Sequence, residues 1–138
     1  MTSIPDNLAY FSSLDSDECL RLLSEARVGR VIWNAPDGLS ALPVNHELID
    51  GGVNFCTTLG SPLAALTEPT VVAFQVDQID PETRVGWSVL LRGTSGTTDG
   101  DATASWVPGR RGVGVRIVPD KVTGRVMSSP MEEDENNE

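Results

Sequence analysis

Lysine, histidine and cysteine are nearly absent from this chain. Its 138 residues hold one lysine (Lys121), one histidine (His46) and two cysteines, Cys19 and Cys56, 37 positions apart with no C-x-x-C. A single lysine leaves Schiff-base chemistry one candidate. A single histidine makes no histidine cluster for a metal, and the cysteine spacing is neither a disulfide framework nor a zinc site. No metal ligand set is therefore assigned, and two reduced, buried thiols in a cytoplasmic protein are expected. Bases of any kind are scarce: ten, nine of them arginine, against twenty acids, for a formal charge of −10. Five of those acids stand in Glu132–Glu138, and the remainder still carries 15 acids against 10 bases. Counterion release needs clustered Lys and Arg, so a nucleic-acid partner is excluded, and so is an anionic membrane surface. No apolar stretch approaches the ~20 residues of a membrane span. The segment Met1–Asp6 has neither the basic region nor the long apolar run of a signal peptide. The run Gly109–Gly114 is not G-x-G-x-x-G, which removes the usual dinucleotide fingerprint.

What is present suffices for one domain. Apolar residues make up 39% of the chain, an ordinary globular share at a one-domain length. An N-terminal arm is expected over 1–13, the folded domain over 14–127, and an acidic, disordered tail over 128–138. Asp15 and Glu18 fit a D-x-x-E capping box, and Cys19, Leu20, Leu22, Leu23 and Ala26 follow at helical spacing. This predicts a helix over 15–27. Beyond Gly29 the period changes to two: strands are expected over 29–34 and 39–47, with Leu42, Val44 and His46 on one face. Others follow over 53–57, 70–79, from Trp87 toward Thr97, 113–117 and 122–127. A short helix over 63–66 interrupts them, and Gly96–Gly112 reads as loop. Six or seven short-turned strands pair mostly antiparallel and are best closed into a small barrel, which removes exposed edges. The interior of so small a barrel is filled by side chains. A ligand of any size must lie outside it or between subunits.

Three segments could gather around such a ligand. Leu42–His46 contains Pro43, which cannot donate to a ladder; it marks an edge strand or bulge, or a backbone that faces a flat ligand. Thr57–Leu63 leaves a strand and enters the short helix. Its hydroxyls suit a phosphate, while Ser61 and Pro62 equally suit a plain helix start. In Gly86–Val89, Trp87 shares the core face and Ser88 points outward. Asp77 and Asp80 read as solvated turn carboxylates.

Taken in order, these pieces resemble the pyridoxamine 5′-phosphate oxidase-like, FMN-binding split-barrel family, in its short actinobacterial form. The resemblance is carried by Glu18–Leu23 with Val28–Arg30, Leu42–Asn45, Phe55–Ser61 with Leu63–Leu66, Val72–Asp77, Gly86–Gly93, and Trp106–Gly109 through Arg116 and Ile117. It implies a mainly β, six- to seven-stranded antiparallel split β-barrel with an N-terminal helix and one short helix. It implies a homodimer with FMN at the subunit interface. Pro43, Val44 and Asn45 would run along the flavin ring, Thr57, Thr58 and Ser61 would approach the phosphate, and Trp87, Ser88 and Val89 would close the site. Trp106 and Arg116 would reach it from the partner subunit. Relatives usually carry Lys or Arg directly after Ser61; here Pro62 removes both a cation and an N–H, and Arg92 or Arg116 would have to compensate. The expected activity is hydride transfer between the flavin and an unidentified small-molecule substrate, with no catalytic residue assigned. The alternatives are a cofactor-less split-barrel dimer with a binding or structural role, and an F420-binding relative.

Overall fold

The computed structural model describes residues 10–98 and 112–128. The tail from Ser129 onward, Trp106 and most of the Gly96–Gly112 loop lie outside the described residues, as does the first part of the arm.

The described chain runs β1 (Tyr10–Leu14), α1 (Ser16–Glu25), β2 (Val28–Ala35), β3 (Gly38–Ile49), β4 (Gly52–Thr58), a 3₁₀ helix (Pro62–Thr67), β5 (Thr70–Ile79), β6 (Gly86–Thr97) and β7 (Gly112–Ser128). All pairings are antiparallel, in the order β1-β7-β4-β3-β2-β5-β6, and a β6–β7 ladder closes six of the strands into a ring. This is the expected split barrel with seven strands, an N-terminal helix and one short helix. The short helix is 3₁₀, which fits its six residues.

Three local expectations change. Tyr10–Leu14, placed in the arm but for Leu14, is a strand that pairs with Gly124–Ser128 of β7. The helix is Ser16–Glu25 rather than 15–27: Asp15 stands outside as N-cap, its side chain accepting from Glu18 N–H at 2.9 Å. Glu18 does not complete the box, because its carboxylate pairs with Arg21 one turn on. The segments 113–117 and 122–127 are not two strands but one, β7, which continues through an irregularity opposite Arg92 and Gly93. Gly93 permits this, since a Cβ there would sit 2.1 Å from the Val118 carbonyl oxygen.

The core follows from the period-two pattern. Val31, Val53, Phe55, Phe74, Val89, Leu91, Val115 and Ile117 fill the barrel and are all but inaccessible. Leu63 and Leu66 of the 3₁₀ helix, and Cys19, Leu22 and Leu23 of α1, add to the same core. Phe74 needs a particular neighbour: a Cβ on Gly29 would lie 2.2 Å from its ring. The β3–β4 hairpin turns on Asp50 and Gly51, both in left-handed conformation (φ 50° and 79°), the primed-turn geometry that matches strand twist.

Candidate functional site

The split in the barrel lies between β3 and β4. Their ladder runs from Ile49–Gly52 to His46–Phe55 and stops there, whereas β3 remains paired with β2 from Gly38 to Asn45. His46 N–H donates to the Arg27 carbonyl at 3.1 Å. Even-numbered residues of β3 therefore turn their backbone groups toward β2, and Ala41, Pro43 and Asn45 turn theirs toward the gap. Among the described residues no strand covers that edge. Pro43 sits in its middle without an N–H, the position in which a strand tolerates proline. On β4 the same alternation turns Cys56 and Thr58 to the gap, and Thr57 to β7.

The expected site residues distribute unevenly around this gap. Pro43 and Asn45 are exposed on one lip and Thr58 is half-buried on the other. Val44 and Val89 are core residues; the Val44 backbone faces β2, and Val89 is paired with β5 and β7 on its two flanks. Thr57 is half-buried. Ser61 caps the 3₁₀ helix: its Oγ accepts from Leu63 N–H at 3.0 Å, and its own N–H donates to the Thr58 carbonyl. Ser88 faces outward and accepts from Gln75 Nε2 at 3.3 Å. Trp87 points to the opposite side of β6, where with Gln78, Ile79, Asp80, Pro81, Val85, Gly86 and Val126 it lines an open pocket of about 440 Å³. Ser88 is three strands from Asn45 along one outer row, about 14 Å at the usual strand spacing. Within a single chain the lips and the Trp87–Ser88 segment therefore do not converge.

Arg116 is already engaged. Its Nη1 donates to the Ile49 carbonyl at 3.0 Å and to Asn54 Oδ1 at 2.9 Å, and its Nη2 reaches the Asp50 carbonyl at 3.4 Å. It clasps the β3–β4 turn, at the far end of β4 from Thr58. Two side chains near the lips escaped the sequence reading. Arg30 is the direct cross-strand partner of Pro43, and Gln75 follows it on β5; outward alternation on β2 was the available signal.

His46 is no acid–base candidate. It is 7% exposed, its ring meets Phe74 edge-on at 4.8 Å, and its Nε2 lies 3.1 Å from the Leu23 carbonyl. A carbonyl only accepts, so Nε2 carries the proton and ties β3 to α1, while Nδ1 is buried with no partner. Burial pushes the imidazole below its ordinary 6.5, against a smaller upward pull from its backbone neighbours. The unfolded chain therefore takes up the proton first, so His46 supports the fold above about pH 6.5 and that support is lost as pH falls below it. Urea midpoints should fall between pH 7 and 5.5 in the wild type and fall less in His46→Gln; parallel profiles would contradict this placement.

Among the described residues no three or more His, Cys, Asp or Glu side chains gather as a metal site, and no helix is long and apolar enough to cross a membrane.

Residues 15–126 match the family model described as pyridoxamine 5′-phosphate oxidase. The chain belongs to this family. As a member of the pyridoxamine 5′-phosphate oxidase family it resembles an uncharacterized protein of Mycobacterium tuberculosis, with 32% identity over 133 residues, 87% of this chain and 88% of that one. Its fold superimposes on an FAD binding protein from Mycobacterium smegmatis with a TM-score of 0.70 at 29% identity, covering 85% of this chain and 98% of that one. A TM-score of 0.71 relates it to an FAD-binding protein from Mesorhizobium loti, over 88% and 99% of the two chains; at 21% identity this likeness concerns the fold alone.

Proposed function

We propose that the chain is a flavin-dependent oxidoreductase acting on a small molecule, with the flavin ring against the split between β3 and β4. The carrying observation is the β3 edge at Ala41–Asn45, which turns backbone groups and a flat proline toward a gap instead of a strand. Such an edge in an otherwise closed barrel suits a planar heterocycle that hydrogen-bonds through its rim. The flavin-binding relative of similar fold supports the same reading. When bound, a flavin supplies the hydride-accepting chemistry. The chain's part is to hold the ring by the Asn45 and Thr58 backbone and to exclude water. No titratable side chain of the named set stands ready as a base, so proton transfer is left to the substrate or solvent.

The ring end fits better than the phosphate end expected for FMN. Ser61 Oγ accepts the cap bond from Leu63 N–H and keeps its own O–H to donate, while Pro62 offers neither charge nor N–H, so the loop would bring the Thr57, Thr58 and Ser61 hydroxyls to a phosphate without a charge of its own. This weakens the case for an FMN site of the usual build, while leaving the ring site intact.

A homodimer completes the proposal. Leu39, Val71 and Val118 are 82%, 80% and 54% exposed. They stand on β3, β5 and β7, alternate strands of the ring, with the polar Asn34 and Thr94 on the strands between. A second copy would have to supply a Trp87–Ser88 segment to the first copy's lips, because one chain does not bring the two together.

Titration of FMN and riboflavin into the purified protein tests the reading. Saturable quenching of flavin fluorescence at one ring per chain, in a particle of twice 14.8 kDa, is expected. Unchanged fluorescence with both flavins overturns it in favour of the cofactor-less binding dimer.

A further inference from the structure

His46 sits where the barrel comes apart. It is the last residue of β3 paired with β4, opposite Phe55. Asn45, the next residue along the lip, is paired with Val28 of β2 and, among the described residues, with nothing on the gap side. The His46 side chain reaches out of the sheet to α1, where Nε2 donates to the Leu23 carbonyl at 3.1 Å. Its backbone N–H donates to the Arg27 carbonyl, also at 3.1 Å. The last turn of α1 holds no basic residue, so this imidazole supplies from another element a donor that the helix end needs. One residue thus joins the end of α1, the entry to β2 and the lip.

A second proton has one place to go. Nε2 already carries its own, so the next enters at Nδ1 and leaves a charged ring with an N–H that has no acceptor in a buried site. The surroundings do not answer that charge. β4 opposes His46 with Phe55, and β5 presents the ring of Phe74. On α1, Glu18 and Glu25 pair with Arg21 at the surface, and the buried Cys19 responds to Asp15 and Glu18. Arg27 is exposed and turns only its carbonyl to His46. Among the described residues Glu47, exposed beside it on β3, is the one charged side chain that favours the imidazolium.

We propose that His46 is a positioning residue: as a neutral ring it locks the Asn45 lip of the split to α1, and on taking up a proton it lets the lip go. The Leu23 bond pulls the other way, since a helix-end carbonyl prefers a charged donor, but burial outweighs it. The consequence for a ligand rests on the flavin reading and deepens it. The locked lip is the one that presents the Asn45 backbone to the ring, so affinity follows the locked fraction.

The chain has a single histidine, so the imidazole signal of the full-length ¹⁵N-labelled protein reads this group directly. It should titrate with a midpoint below the ordinary 6.5. The amides of Arg27 and Asn45 should move with the same midpoint, while those of Leu91 and Val115 in the core stay in place. A ring that titrates with Asn45 silent overturns the lock. So does a ring that takes up its proton only as the core signals are lost, because that is global unfolding. Riboflavin, which has no group titrating between pH 5 and 8, is then added across that range. Wild-type affinity should be about threefold or more weaker at pH 5 than at pH 7.5, with a slope no steeper than about tenfold per pH unit, that of one proton. In His46→Gln, whose amide donates to Leu23 and takes up no proton, affinity should not vary with pH. A flat wild-type profile overturns the lock and leaves the ring site standing. Riboflavin unbound at every pH overturns the flavin reading, and the ring and Asn45 signals then judge the lock by themselves. The same signals decide if His46→Gln does not fold.

Discussion

Phe74→Ala should destabilise the protein by about 3–5 kcal/mol, the usual cost of truncating a buried phenylalanine. Phe74 is wholly inaccessible, and three features make its site unable to collapse. Gly29 gives no side chain to move in, and the tip of the ring takes the space where a Cβ would stand. His46 stands edge-on at 4.8 Å and is pinned by Leu23. The β5 backbone is held on both flanks, by β2 and by β6. The removed ring therefore leaves a void and exposes the already orphaned Nδ1 of His46 to it. Against a total stability of about 5–15 kcal/mol for a domain this size, the loss is large. Urea unfolding followed by circular dichroism checks it; a loss under about 1 kcal/mol, within the range of a surface substitution, would show that Phe74 is not the keystone of this core.

Arg116→Ala should cost about 2 kcal/mol, the range for removing hydrogen bonds from a charged donor, partly offset because the turn is accessible to water. Asn54, 6% exposed, loses the donor to its Oδ1, and the Ile49 and Asp50 carbonyls lose theirs. The guanidinium also lies flat on Gly52, where an added Cβ would come within 2.6 Å of its central carbon. Lysine cannot reproduce this planar fork, so Arg116→Lys should recover only part of the loss. Riboflavin affinity should stay within about twofold of wild type if the clasp is the residue's whole role, well under the tenfold that ~1.4 kcal/mol of lost contact gives. Unchanged stability together with lost flavin would instead restore the cofactor role that the family resemblance implies for Arg116.

The barrel was legible because its strands alternate cleanly: Val72, Phe74 and Val76, or Val53 and Phe55, name the inward face without help from structure. The proline at 43 announced an unpaired edge, and that edge is where the gap lies. What the sequence hid was long-range. No local pattern tells whether 113–117 and 122–127 are one strand or two, because the answer depends on Gly93 of another strand yielding room for Val118. Tyr10–Leu14 has no strand signature of its own and is ordered by the free flank of β7. Ser61 carried two readings with identical residue requirements; the hydrogen bond from Leu63 N–H shows the helix cap and leaves the Ser61 O–H to donate, so the two are compatible.

A flavin ring at the β3–β4 split must touch the chain at its two lips. Riboflavin has no phosphate and isolates that contact. Followed by the backbone amide resonances of ¹⁵N-labelled protein, its titration should move Ala41, Asn45 and Thr58 most and leave the β3–β4 turn at Asp50 and Gly51 unmoved. Saturable binding whose largest shifts fall at the turn, or in the Trp87 pocket with Asn45 and Thr58 silent, would contradict it.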